Sequence, residues 1–119
     1  MLPALLPVSA SFASPSEVLN ATDRITAATH LPLLVDADTG YGGPIQVEHT
    51  VRALLRRGAS GCFLEDQVWP KRCGHMQGKR VVEVEEYLPK LQAAIEARRD
   101  APLHITARTD ARAVCGLDE

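Results

Sequence analysis

The sequence has little of several things, and each shortage excludes something. No apolar run approaches the ~20 residues of a membrane-spanning helix, so no helical span is expected. The formal net charge is only −2, without the excess of one sign that draws a protein to nucleic acid or to an anionic membrane surface. Cysteine is scarce: Cys62, Cys73 and Cys115 are an odd number at no paired spacing. That excludes a secreted disulfide framework and a CxxC-type zinc site. Residues 1–13 are mildly apolar but have no basic segment, carry Pro3 and Pro7, and precede the first arginine, Arg24. They resemble neither a secretory signal nor a mitochondrial transit peptide. The expected compartment is reducing and intracellular, the cytoplasm, with the mitochondrion as the alternative. Aromatic residues make up 4% of the chain, so its core must be aliphatic.

What is present is an alternation of helix and strand signals. Ser14-Pro15-Ser16-Glu17 predicts a helix start, with Ser at the N-cap, Pro at the first position and Glu completing a capping box. That helix should run to about Thr29. Leu31 to Ala37 is apolar on consecutive residues, as in a buried parallel strand. Gly40, Gly42 and Gly43 mark a loop. Pro44 opens a second helix to about Arg57, with Ile45, Val51, Leu54 and Leu55 as its apolar stripe and His49, Arg52 and Arg56 outside. Gly58 ends it, and Cys62-Phe63-Leu64 reads as a second buried strand. After a long loop, Val84 to Arg99 reads as a third helix carrying Leu88, Leu91, Ala94 and Ile95. Pro89 there implies a later true start, because proline is tolerated only in the first turn. Leu103 to Ala107 is a third strand, after which no covering helix is expected.

Each strand ends in charged residues: Asp36 and Asp38, Glu65-Asp66, and Arg108. Open α/β sheets and (β/α)8 barrels place their sites there. The expected fold is α/β, a partial (β/α)8 barrel of about three βα units. A complete barrel takes about 250 residues, so residues 1–119 are expected to form an incomplete barrel domain.

Asp36 and Asp38, two apart at a strand end, are expected to share one face. Such carboxylates suit Mg²⁺, which takes few protein ligands and keeps water and substrate oxygens. They equally suit a helix cap or an Asx-type organiser of the glycine-rich turn, and both readings stand on spacing alone. Glu65-Asp66 could reach the same ion directly or through water. Cys73 lies among Lys71, Arg72, Gly74 and His75, where neighbouring cations favour a thiolate and Gly74 permits close backbone approach; for a lone cysteine the ordinary alternative is a buried or incidental thiol. Arg108 can fork onto a carboxylate, with Asp110 orienting it or a water; the alternative, more common for arginine in general, is a solvent-facing ion pair. Cys62 reads as a core residue, and Trp69 and Phe63 as packing residues.

In this order and spacing, Asp36–Gly42 (DADTGYG), Leu64–Gln67 (LEDQ), Lys71–His75 (KRCGH) with Gly78-Lys79, and Ala107–Arg112 (ARTDAR) resemble the isocitrate lyase and phosphoenolpyruvate mutase superfamily. The likeness covers nearly everything from Ser16 onward. It implies a Mg²⁺-dependent barrel (Mn²⁺ being the alternative ion) acting on small carboxylic acids through an enolate-like intermediate. On the matching positions it implies that Asp36 and Asp38 hold the metal with Glu65 in support, often through water. Cys73 would be the catalytic thiol of a gating loop, with Lys71 and His75 setting its charge. Gly74 would contact the substrate through its backbone, and Arg108 would bind the substrate carboxylate. Cysteine in this loop marks the carbon–carbon lyases, and the short connection to it resembles the methylisocitrate lyase branch. Cleavage of a methylisocitrate- or isocitrate-like 2-hydroxy acid to a keto acid and succinate is therefore implied. The alternatives are oxaloacetate hydrolysis, carboxyphosphonoenolpyruvate phosphonomutase chemistry, and a truncated non-catalytic remnant or isoform. Full-length family members are implied to be homo-oligomers. Two family features find no match: the early substrate loop, of which Val8-Ser9-Ala10-Ser11 echoes only a flank, and the later strands with a further Glu and an Asn-Thr-Ser-type site.

Overall fold

The computed structural model of the chain describes residues 13–68 and 80–116. Helix α1, Pro15–Ala28, begins as its sequence dictates: Ser14 Oγ accepts from the Glu17 N–H and the Glu17 carboxylate accepts from the Ser14 N–H. Strand β1, Leu34–Asp36, follows, then α2, Pro44–Arg56, β2, Gly61–Glu65, α3, Val84–Arg98, β3, His104–Arg108, and a short helix α4, Ala111–Cys115. The three strands form one parallel sheet in the order β1-β2-β3, with Val35 beside Cys62 and Cys62 beside Ile105. Each neighbouring pair is joined by a helix, the connection that parallel strands require.

That register sets up two faces. Val35, Cys62 and Leu64 point to the side that α2 and α3 cover, and join Val47, Val51, Leu54 and Ala94 in one apolar core. The alternate residues, Asp36, Phe63 and Thr106 in one row and Glu65 beside Arg108 in the next, lie on the opposite face. Gly61 is required there, since a Cβ would lie 2.8 Å from Leu34 Cδ1 and 2.9 Å from the His104 carbonyl oxygen.

Several expectations need correction. β1 spans three residues rather than seven, because Leu31 is exposed and Pro32 has no N–H to give the ladder. On α2 the buried residues are Val47, Thr50, Val51, Ala53 and Leu54, while Ile45 is 67% exposed. Ile45 sits in the first turn of the helix. On α3 only Ala94 is fully buried, and Leu88 and Ile95 face outward. α3 also starts at Val84, so Pro89 lies inside it. Finally, α4 follows β3 where no helix was expected.

Candidate active site

The loop after β1 is fixed from both sides. The Ala37 N–H donates to the Phe63 carbonyl and the Glu65 N–H to the Asp38 carbonyl, so the turn continues the β1–β2 pairing. Asp36 Oδ1 accepts from the Asp38 N–H at 2.9 Å, an Asx-type closure. Asp38 then turns out of the extended path at φ 57°, followed by Gly40 at 91° and Tyr41 at 67°. The expectation that Asp36 and Asp38 share a strand face is therefore corrected: Asp36 ends the strand and Asp38, buried, lies in the turn beyond it. Neither caps α2, whose N-cap is Gly43, with the Gly43 N–H bonded to Gln46 Oε1. Gly40 cannot be replaced freely, since a Cβ there would collide with the Val47 side chain. Burial, and then the charges of Asp38 and Asp36, push the Tyr41 phenol upward, so both carboxylates bear on that ring.

The ends of β2 and β3 are joined by side chains. Gln67 Nε2 donates to Glu65 Oε2 and to Asp110 Oδ2, each at 2.9 Å. Asp110 Oδ1 lies 3.7 Å from Arg108 Nη2. Asp66 accepts from the Thr109 hydroxyl at 2.5 Å and from the Asp110 N–H at 3.0 Å. The expected role for Asp66 near an ion is thus replaced: its carboxylate fastens the β3 loop to the end of β2. From α3, the Tyr87 hydroxyl donates to the Leu64 carbonyl and lies 3.3 Å from that of Arg108. Lys90 Nζ reaches the Thr39 carbonyl at 3.4 Å.

Of the residues expected to form a site, Asp36, Glu65 and Arg108 share the sheet face opposite α2 and α3, and Asp38 is bonded to the backbone of that edge. Lys71, Cys73, Gly74 and His75 lie outside the described residues. A cleft of about 930 Å³ between α1, the loop before α2 and α3 is lined by Tyr41, Gln67, Val82, Glu86 and Lys90 among others, but by none of Asp36, Asp38, Glu65 or Arg108.

Residues 9–117 match the family model described as phosphoenolpyruvate phosphomutase. The chain belongs to this family. It is 56% identical over 105 residues to the petal death protein of Dianthus caryophyllus, an alignment covering 87% of this chain and 33% of that protein. It is 51% identical over 104 residues to the 2-methylisocitrate lyase of Aeropyrum pernix, again covering 87% and 33%. Its fold matches that of oxaloacetate acetylhydrolase bound to 3,3-difluorooxalacetate with a TM-score of 0.86 at 40% identity, over 92% of this chain and 38% of that one. A family member solved with Mg²⁺ and oxalate, phosphonopyruvate hydrolase, matches with a TM-score of 0.77 at 30% identity, over 91% of this chain and 36% of that one. The chain spans about a third of the length of the relatives it matches, and its three parallel strands are part of the family's barrel.

Within this family frame the donor set can be tested against a divalent metal. Among the described residues no three His, Cys, Asp or Glu side chains converge as a cation cage. Mg²⁺ needs no such cage: one or two hard carboxylates suffice, and water and substrate oxygens complete its octahedron. Asp36 and Asp38, tied to each other at the strand end, are such a pair, and Glu65 stands on the adjoining strand. The donor chemistry fits. Two residues that join the site were not assigned chemistry from the sequence. Gln67 was visible only as the last letter of LEDQ, and Tyr87 carried no signal, since a tyrosine on a helix face reads as packing.

Proposed function

We propose that the chain carries the metal-binding and thiol-bearing part of a Mg²⁺-dependent carbon–carbon lyase. Its substrate would be a 2-hydroxy acid of the methylisocitrate or isocitrate type, cleaved to a keto acid and succinate. The observation that carries this reading is the placement of Asp36, Glu65 and Arg108 on one sheet face at the C-terminal ends of three parallel strands, with Asp38 tied to the same edge. Parallel α/β sheets bind their ligands at that end.

In this reading Asp36 and Asp38 would hold the ion, with Glu65 in support. Bound Mg²⁺ supplies Lewis acidity that stabilises negative charge developing on substrate oxygen. Arg108, half-exposed and paired with Asp110, receives a substrate carboxylate through its forked donors. As the bond between the hydroxyl-bearing carbon and its neighbour breaks, the hydroxyl gives its proton to water and becomes the keto group. The electron pair of the broken bond passes to the departing dicarboxylate carbon, and Cys73 delivers a proton there, giving succinate. Gly74 contacts the substrate through its backbone, and Lys71 and His75 set the charge around the thiol. The full-length form would act as a homo-oligomer on a small carboxylic acid, without nucleic acid or membrane, in the cytoplasm.

The likeness to oxaloacetate acetylhydrolase favours a second reading, hydrolysis of oxaloacetate. A substrate panel with and without EDTA separates the two. The lyase reading expects Mg²⁺-dependent keto acid and succinate from 2-methylisocitrate or isocitrate, abolished by Cys73→Ser. Oxalate and acetate from oxaloacetate alone would move the assignment to the hydrolase. Full activity in Cys73→Ser would remove the thiol from the mechanism.

A further inference from the structure

Gln67 stands between the two charged ends of the site. It is 2% exposed, and its backbone is fixed by an antiparallel bridge to Val81 and by the adjoining bonds from Val68 N–H to the Arg80 carbonyl and from Val82 N–H to the Asp66 carbonyl. Its two amide hydrogens go to different strands' ends: Glu65 Oε2 and Asp110 Oδ2, both at 2.9 Å. The Asp110 backbone N–H donates to Asp66 Oδ1, and its other carboxylate oxygen lies 3.7 Å from Arg108 Nη2. An amide suits this position chemically. It links two carboxylates without adding charge, where a third carboxylate would repel both and a lysine would compete with Arg108 for Asp110.

We infer that Gln67 is a positioning residue that couples Glu65, on the metal side, to Asp110 and Arg108, on the side of the substrate carboxylate. This rests on the proposed lyase reading. The coupling makes the two halves of the site interdependent: moving the Gln67 amide displaces both Glu65 and, through Asp110, the Arg108 guanidinium. Hydrogen-bonding partners behind a ligand commonly change metal affinity or activity by roughly 10- to 100-fold when removed.

The test compares the full chain with its Gln67→Leu and Gln67→Asn variants. Mg²⁺ binding is measured by calorimetry, the Arg108 Nε–H signal by NMR, and folding by thermal melting. Leucine removes both bonds, and asparagine is too short to span both carboxylates, so it serves the test even where leucine impairs folding. The expected result is about tenfold weaker Mg²⁺ binding in Gln67→Leu, a smaller loss in Gln67→Asn, and a displaced or broadened Arg108 signal in both. Wild-type binding with unchanged affinity and an unchanged Arg108 signal in both variants, even at a lower melting temperature, would overturn the coupling alone. A wild-type chain that binds no Mg²⁺ would overturn the lyase reading and the coupling with it.

Discussion

Tyr87 ties α3 to the ends of β2 and β3 through one hydroxyl. Burial first, then the charges of Asp66 and Glu65, push its phenol up to about 12. Burial also raises the Cys62 thiol to about 11, against the opposing charge of Arg98. Both groups stay protonated in the folded chain at a pH where the unfolded chain ionises. Their contributions to stability are therefore complete below the unfolded values of 9.0 and 10.0 and are lost as pH rises through about 11 and about 12. Thermal melts from pH 8 upward should show stability falling from about pH 9, and Tyr87→Phe should flatten the upper part of that fall. At neutral pH the same substitution should cost about 1 kcal/mol for the lost hydrogen bond; an unchanged melt would remove the hydroxyl from the account. The buried Cys62 should label with a thiol reagent far more slowly than exposed Cys115 in the native chain, and equal rates would contradict the core placement. Gly40→Ala combines a left-handed backbone with a collision against Val47. It should lose on the order of 2 kcal/mol by chemical denaturation.

At the scale of elements, α3 is the least consistent piece. Pro89 in its interior can give no N–H to the Glu85 carbonyl, yet the helix continues to Arg98. What holds it is packing against α2 and the sheet, through Ala94, Leu91 and Tyr87. Pro89→Ala should restore that bond and stabilise the chain by about 1–3 kcal/mol, the range allowing for the looser unfolded chain. A variant that melts lower would mean the proline ring itself is packed in place. The same tension explains which elements could be read from the sequence. Helix starts were legible because their signals are local: the Ser14–Glu17 capping box and Pro44 act within one turn. The strand cores around Val35 and Cys62 were legible from consecutive apolar residues. The buried faces of α2 and α3 were not. Ile45, Leu88 and Ile95 fit a helical period, but which of them meets the sheet depends on how far the helix overhangs it, a tertiary quantity. β1 was overlong in the sequence reading because a run of apolar residues does not say where its partner strand ends.

For the molecule as a whole, the site reduces to three parallel strands whose C-terminal ends carry two aspartates, a glutamate and an arginine. Asp36, Glu65 and Arg108 were legible as strand ends because each closes an apolar run, whereas Asp38 lies in the turn beyond β1. Asp66 and Gln67 were not, because their roles are cross-strand contacts to Asp110, 44 and 43 residues further on. The turn chemistry expected at Asp36 is present: one of its oxygens closes the turn by accepting from the Asp38 N–H. The proposal on which the lyase reading turns is that Asp36 and Asp38 together bind a hard divalent cation. Titration of the full chain with Mn²⁺, a stand-in with the same oxygen preference, followed by electron paramagnetic resonance, tests it most directly. The expected result is one bound ion displaced by Mg²⁺, and its loss in both Asp36→Asn and Asp38→Asn. No bound ion in the wild type, or equal binding in the two variants, would contradict it.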